Sequence, residues 1–143
     1  MLRAVTDAST QSWLEGFVQA HGGVAGTVHT LSADDADLLV MGASFNIPPP
    51  VVAVTQRIPR GKGMAGLALE RNTPVQTCNL KSDDSGDVRP GAKAVAAHAA
   101  VALPVHDAAG TVRAVVGIAF PDERELGDSE LATLAAAAIA CPS

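Results

Sequence analysis

Two apolar runs separated by a five-residue link constrain this chain most. Ala99–His106 and Val112–Phe120 are dense in Val, Leu and Ile, and Asp107-Ala-Ala-Gly110 lies between them. A link that short cannot carry a parallel crossover, so the two runs must pair antiparallel as a hairpin. A second hairpin is written earlier. Val24–Ser32 is β-rich, Ala33–Asp37 supplies turn residues, and Leu38–Phe45 reads as the return strand. Helical patterns stand at both ends. Ser9 and Thr10 can cap a first helix carrying Trp13, Leu14, Phe17 and Val18 at helical spacing, with Gly22-Gly23 as its stop. Asp128 or its neighbour caps a last helix whose apolar stripe is Leu131, Leu134, Ala135, Ala138 and Ile139.

The middle is mixed. Pro48, Pro49 and Pro50 exclude a helix interior or a central strand, although a helix could begin at the last of them. Val51–Ile58 fits a short helix or a strand equally. Met64–Arg71 is built of helix formers and stopped by Asn72-Thr73-Pro74, and Pro74–Cys78 reads as a short strand. Asn79–Ala97 is a long polar connection. The order predicts one α+β domain over residues 1–143: an antiparallel sheet with the terminal helices packed on one face.

Composition narrows the function classes. Charged residues make up 17%, hydrophobic residues 48%, and the formal net charge is −5. An acidic domain with one Trp, three Phe and no Tyr suits neither nonspecific nucleic-acid binding nor a base-stacking platform. No apolar run is long enough to span a bilayer, and the first residues lack the apolar stretch of a signal peptide, so the expected location is cytoplasmic, away from membranes. Two cysteines, Cys78 and Cys141, fit a reducing compartment.

Gly61, Gly63 and Gly66 form a literal G-x-G-x-x-G. A dinucleotide fingerprint requires a strand running directly into the glycines and a second parallel unit behind them. Pro59 sits where that strand should end, and the chain closes with an antiparallel hairpin instead. A phosphate-binding P-loop fails because Lys62 lies between glycines and no G-K-[ST] occurs. The glycines then serve as a turn into a helix packed closely on the sheet. Free N–H groups at that helix start, with Lys62 or Arg60 nearby, would suit an anionic ligand group.

Other chemistry is thin. Asp83, Ser85 and Asp87 alternate like the start of a calcium loop, but Val88 and Ala94 stand where the loop needs its glycine and glutamate. His98 and His106 are about 26 Å apart along an extended strand, too far for one metal. His21 and His29 have no evident partners. Neither a metal nor a cofactor is expected.

The segment Arg57-Ile-Pro-Arg-Gly-Lys-Gly-Met-Ala-Gly-Leu-Ala, the Ala102-Leu-Pro-Val105 strand, Gly117-Ile-Ala, and the closing Asp-x-Glu-Leu-x-x-Leu helix occur in the order of a GAF domain, and the chain resembles that family from about residue 10 to residue 140. The resemblance implies a central antiparallel sheet with the N- and C-terminal helices on one face. It also implies a small-molecule pocket under the long loop on the other face, and in many members dimerisation through the terminal helices. The glycine segment is similar to that of the free methionine-R-sulfoxide reductases. Where those carry a cysteine this chain has Ala65; their catalytic cysteine falls near Lys93, and their pocket acids near Ala100, Gly117 and Ala119. Cys78 matches no cysteine of that pattern, and no Cys-His pair fits bilin attachment.

The expected function is therefore a noncatalytic GAF-type sensor or regulatory domain binding a small, anionic metabolite. A sulfoxide-reductase-like enzyme and a purely structural dimerisation module are the alternatives. Expected ligand-binding residues are Arg60, Lys62, Met64, Asn79, Arg89, Lys93 and His98. The expected partners are a second copy of the chain and a separate output protein.

Overall fold

The computed structural model describes residues 8–78 and 97–142. In chain order the elements are α1 (Ala8–Ala20), β1 (Ala25–Leu31), β2 (Leu38–Phe45), α2 (Pro49–Val54), β3 (Arg57–Pro59), α3 (Gly63–Arg71), β4 (Val75–Thr77), β5 (Ala100–His106), β6 (Val112–Ala119) and α4 (Asp128–Ala138). Six strands form one sheet in the order β3-β2-β1-β6-β5-β4, with every neighbouring pair antiparallel. The two expected hairpins meet at the centre, where β1 pairs with β6.

The ambiguous stretch after the prolines resolves into two elements. Pro49 and Pro50 occupy the first helical positions, where no backbone N–H is required. Thr55 ends this short helix, and β3 then pairs with β2 through Leu38↔Pro59, Leu39↔Ile58 and Val40↔Arg57. Pro59 is tolerated because β3 is an edge strand.

One face of the sheet is closed by α1 and α4. Leu14, Phe17 and Val18 of α1 pack with Val28, Val101, Leu103, Val116, Ile118 and Phe120 and with Leu134 and Ala138 of α4. At Gly26 a Cβ would lie 2.6 Å from Val18 Cγ2, so the glycine lets α1 press onto β1. Two helix ends differ from expectation. Ser9 and Thr10 lie inside α1 rather than capping it, and Thr10 is buried. The N-cap of α4, expected at Asp128 or its neighbour, is the neighbour Gly127, whose N–H donates to Glu130 Oε1 at 3.4 Å. Ile139, expected in the buried stripe, is 63% exposed. The helix ends at Ala138 and the chain turns, while Arg113 donates to the carbonyls of Ile139 and Cys141 at 3.2 and 2.7 Å, capping the helix C-terminus.

Candidate functional site

The other face carries α2 and α3. Strand pairing brings Ala25, Ala119 and Ala100 into one row and Thr27, Gly117 and Ala102 into the next. Alternation along each strand places all six on the side away from α1 and α4. These are small side chains, whereas Val28, Val101, Leu103, Val116 and Ile118 fill the opposite side. Over the alanine row lie Val51 of α2, Met64 of α3 and Ala97. Gly117 is required locally, since a Cβ there would stand 2.8 Å from the Thr27 hydroxyl. Ala100, Gly117 and Ala119, placed by sequence comparison where the sulfoxide reductases hold pocket acids, are brought together in this floor as uncharged residues.

The glycine triplet shapes the approach of α3. Gly61 and Gly63 have φ of +82° and +66°, a region that costs other L-residues. A Cβ on Gly66 would lie 2.4 Å from the Pro59 carbonyl, so α3 sits directly on the end of β3. The Gly61 N–H donates to the Gly66 carbonyl at 2.9 Å and the Lys62 N–H to the Pro59 carbonyl at 3.1 Å. Those two donors close the turn rather than cradling a ligand. The result is to deliver Met64, at the first turn of α3, to the edge of the alanine floor.

The expected binding residues divide. Met64 packs on the floor. Lys62 is the exposed N-cap of α3. Arg60 is held elsewhere: its Nε lies 2.6 Å from Asp37 Oδ1, and its remaining nitrogens donate to the carbonyls of Ala36 and Leu69. It ties the β1–β2 turn to the end of α3. His98 precedes β5, with its N–H on the Phe120 carbonyl at 2.9 Å and its side chain near Asp122. Its Nδ1 is buried without a partner. Asn79, Arg89 and Lys93, and the Asp83–Asp87 loop, lie outside the described residues.

The sequence reading missed His29. It is 2% exposed, stands two residues from Thr27 on the same face, and pairs across to Val115 and Met41. Its Nε2 lies 2.8 Å from the carbonyl of Thr55, the residue that ends α2, so the imidazole anchors α2 to the sheet. Among the described residues Nδ1 has no hydrogen-bond partner. Burial pushes the imidazole below its ordinary pKa, against a smaller upward pull from the Thr55 carbonyl. The signal available in sequence was the alternation Ala25, Thr27, His29.

Of the two thiols, Cys141 lies across the sheet from this floor and Cys78 follows Thr77, the cross-strand partner of Ala100. Cys78 is exposed just beyond β4, and Cys141 is buried among the α1 and α4 residues, where burial raises its pKa. Among the described residues, no group of three or more His, Cys, Asp or Glu could hold a metal. A shallow cleft on the helical side is lined by His21, Phe120, Arg124 and Glu130, but Arg124 is already stacked on Phe120 and paired with Asp122 at 2.5 Å.

The architecture is similar to several solved structures. One is the GAF domain of an Acinetobacter phosphoenolpyruvate-protein phosphotransferase, at TM-score 0.68 and 16% identity over 96% of this chain and 81% of that one. A second is a GAF domain/HD domain protein from Geobacter sulfurreducens, at TM-score 0.67 and 14% identity over 94% and 89%. A third is a type II free methionine-R-sulfoxide reductase from Thermoplasma acidophilum, at TM-score 0.67 and 15% identity over 89% and 85%. At these identities the likeness is one of fold. No curated protein matches the chain. The sequence model of the GAF domain matches residues 1–140, the sheet and helices are arranged as in its solved members, and the chain belongs to the GAF domain family.

Proposed function

We propose that this chain is a noncatalytic, small-molecule-binding sensor or regulatory domain, with residues 1–143 acting as one unit. The observation that carries the reading is the floor of Ala25, Ala100, Gly117 and Ala119 beneath Val51 and Met64, small side chains beside a half of the same face that Leu39, Leu69, Val112 and Val115 fill. With Ala65 and Lys93 where the sulfoxide reductases carry cysteines, and alanine and glycine at the pocket acids, the chain lacks the groups that sulfoxide chemistry needs there, an attacking thiolate and a resolving thiol. Ala65 stands beside Met64 at the glycine turn, and the thiols are Cys141, buried in the helical core, and Cys78, exposed at the end of β4.

An anionic group on the ligand would be met by the N-terminal turn of α3 and by Lys62. Arg60 is engaged by Asp37 and contributes nothing there. Asn79, Arg89, Lys93 and His98 complete the proposed binding set from the connection and its exit. Signal output runs through a homodimer of terminal helices, with Ile139 and the outward alanines of α4 as its contact, and through a separate output protein. No described helix is long and apolar enough to cross a membrane, and a cytoplasmic site of action fits this reading.

Native mass spectrometry of the protein purified from its own source tests the proposal. A dimer that releases a defined small molecule on denaturation is the expected result. A bare chain, together with no thermal shift across a metabolite collection, would reject it in favour of a structural module. Turnover of free methionine sulfoxide with a thiol reductant would reject it in favour of an enzyme.

A further inference from the structure

His29 carries an inference that rests on the small-molecule reading and deepens it. Its Nε2 lies 2.8 Å from the Thr55 carbonyl, an acceptor, so Nε2 holds the proton of the neutral ring. Nδ1 is then left with an unshared lone pair. That atom is buried and has no hydrogen-bond partner among the described residues, in a residue only 2% exposed. Buried acceptors are ordinarily satisfied, and one left over in a native fold calls for a donor from outside the chain. The α2 anchor explains one ring nitrogen and leaves the other unexplained.

The surroundings indicate what kind of donor fits. His29 and Thr27 stand on the same sheet face, and Gly117 is the cross-strand partner of Thr27. The Thr27 hydroxyl lies over Gly117. Burial keeps the imidazole neutral at pH 7, because the charged form is the one penalised by desolvation. Lys62 is exposed and Arg60 is committed to Asp37.

We infer that His29 is a ligand-binding residue whose Nδ1 accepts a hydrogen bond from a neutral N–H or O–H group of the bound molecule, with the alanine floor and Gly117 holding its apolar part. The ligand class is a small molecule with at least one uncharged donor at this end.

Pyrrole and furan provide the test, because they match in size and differ in one N–H. Binding is followed on nitrogen-15-labelled protein, by the amides of Ala25, Thr27, Gly117 and Ala119 and by the ring nitrogens of His29. Pyrrole is expected to bind roughly three- to tenfold more tightly than furan, the range of one neutral hydrogen bond. It should also shift the Nδ1 resonance, and furan should not. His29→Phe should abolish the preference while keeping furan binding; if that variant does not fold, the wild-type ratio and ring shift decide. Equal binding of both probes at the floor would overturn the role of His29 and leave the small-molecule reading standing. An Nδ1 signal already hydrogen-bonded and unmoved by pyrrole, indicating a resident water only, would do the same. Binding of neither probe at the floor would overturn both.

Discussion

The sheet is packed differently beneath α1 and α4 than in the floor beneath α2 and Met64. Beneath α1 and α4 the strands present Val28, Val101, Leu103, Val116 and Ile118, each no more than 1% exposed, against Leu14 and Phe17. In the floor beneath α2 and Met64 the same strands present Ala25, Thr27, His29, Ala100, Gly117 and Ala119, while farther along that face Val112 and Val115 pack with Leu39 and with Leu69 of α3. The first face is a core filled by large aliphatic side chains, where stability is concentrated. The second combines small side chains with a buried imidazole that lacks one partner, an arrangement that sacrifices packing and polar satisfaction together. Such concessions collect where a fold does its work.

That contrast can be broken at several points. The largest expected effect is on the helical side. Leu103→Ala should lower unfolding free energy by about 2–5 kcal/mol in urea titrations, since its site is fully enclosed. Val51→Ala, on the other face, should cost only about 1.5 kcal/mol for the two methyl-sized groups removed. Equal losses would mean that the faces are packed alike.

Gly66→Ala should cost roughly 1–3 kcal/mol by the same measurement, because the new Cβ meets the Pro59 carbonyl backbone rather than a movable side chain. A stabilised variant, as helix propensity alone would give, would show that α3 is not pressed onto β3. Enlarging alanines on the two faces sharpens the comparison. Ala114→Leu in the helical core should cost about 1–3 kcal/mol. Ala100→Leu, at a half-buried position of the floor, should cost under about 1 kcal/mol and weaken small-molecule binding.

His29 gives the two faces different pH behaviour. Its folded pKa is depressed below the unfolded value of 6.5, so the unfolded chain takes up the proton first. Its contribution to stability is complete above about pH 6.5 and is lost as the pH falls from there toward the folded pKa, with a slope of at most about 1.4 kcal/mol per pH unit. His29→Gln should flatten the unfolding free energy across that window. An unchanged slope would mean that the imidazole titrates equally in both states. The smallest effect is expected at Arg60→Ala. Loss of its pairing with the exposed Asp37 should cost about 1 kcal/mol or less and leave small-molecule binding unchanged.

Much of the helical face was legible before the fold was known. Periodicity marks Leu14, Phe17, Val18 and Leu134 as buried, and the Asp107–Gly110 link leaves β5 and β6 no option but to pair antiparallel. The floor was less legible. Ala100, Gly117 and Ala119 are ordinary strand residues until β1 and β5 are placed on either side of β6. Val51–Ile58 has an apolar pattern that fits either a helix or a strand, and pairing of β3 with the β2 edge is what divides it. Ile139 continues the α4 stripe in sequence, but it follows the last helical residue, and the stripe stops being a face where the helix stops.

The sequence by itself determined the antiparallel hairpins, the terminal helices, the glycines at positive φ and the absence of a thiol at Ala65, because each is a local property of residue type and spacing. Only the tertiary structure decided that Arg60 pairs with Asp37, that small residues from three strands share one floor, and that His29 is buried under α2 with Nδ1 unsatisfied among the described residues. Those are facts about which segments meet. Strand order and register fix such meetings, and no single stretch of chain encodes them.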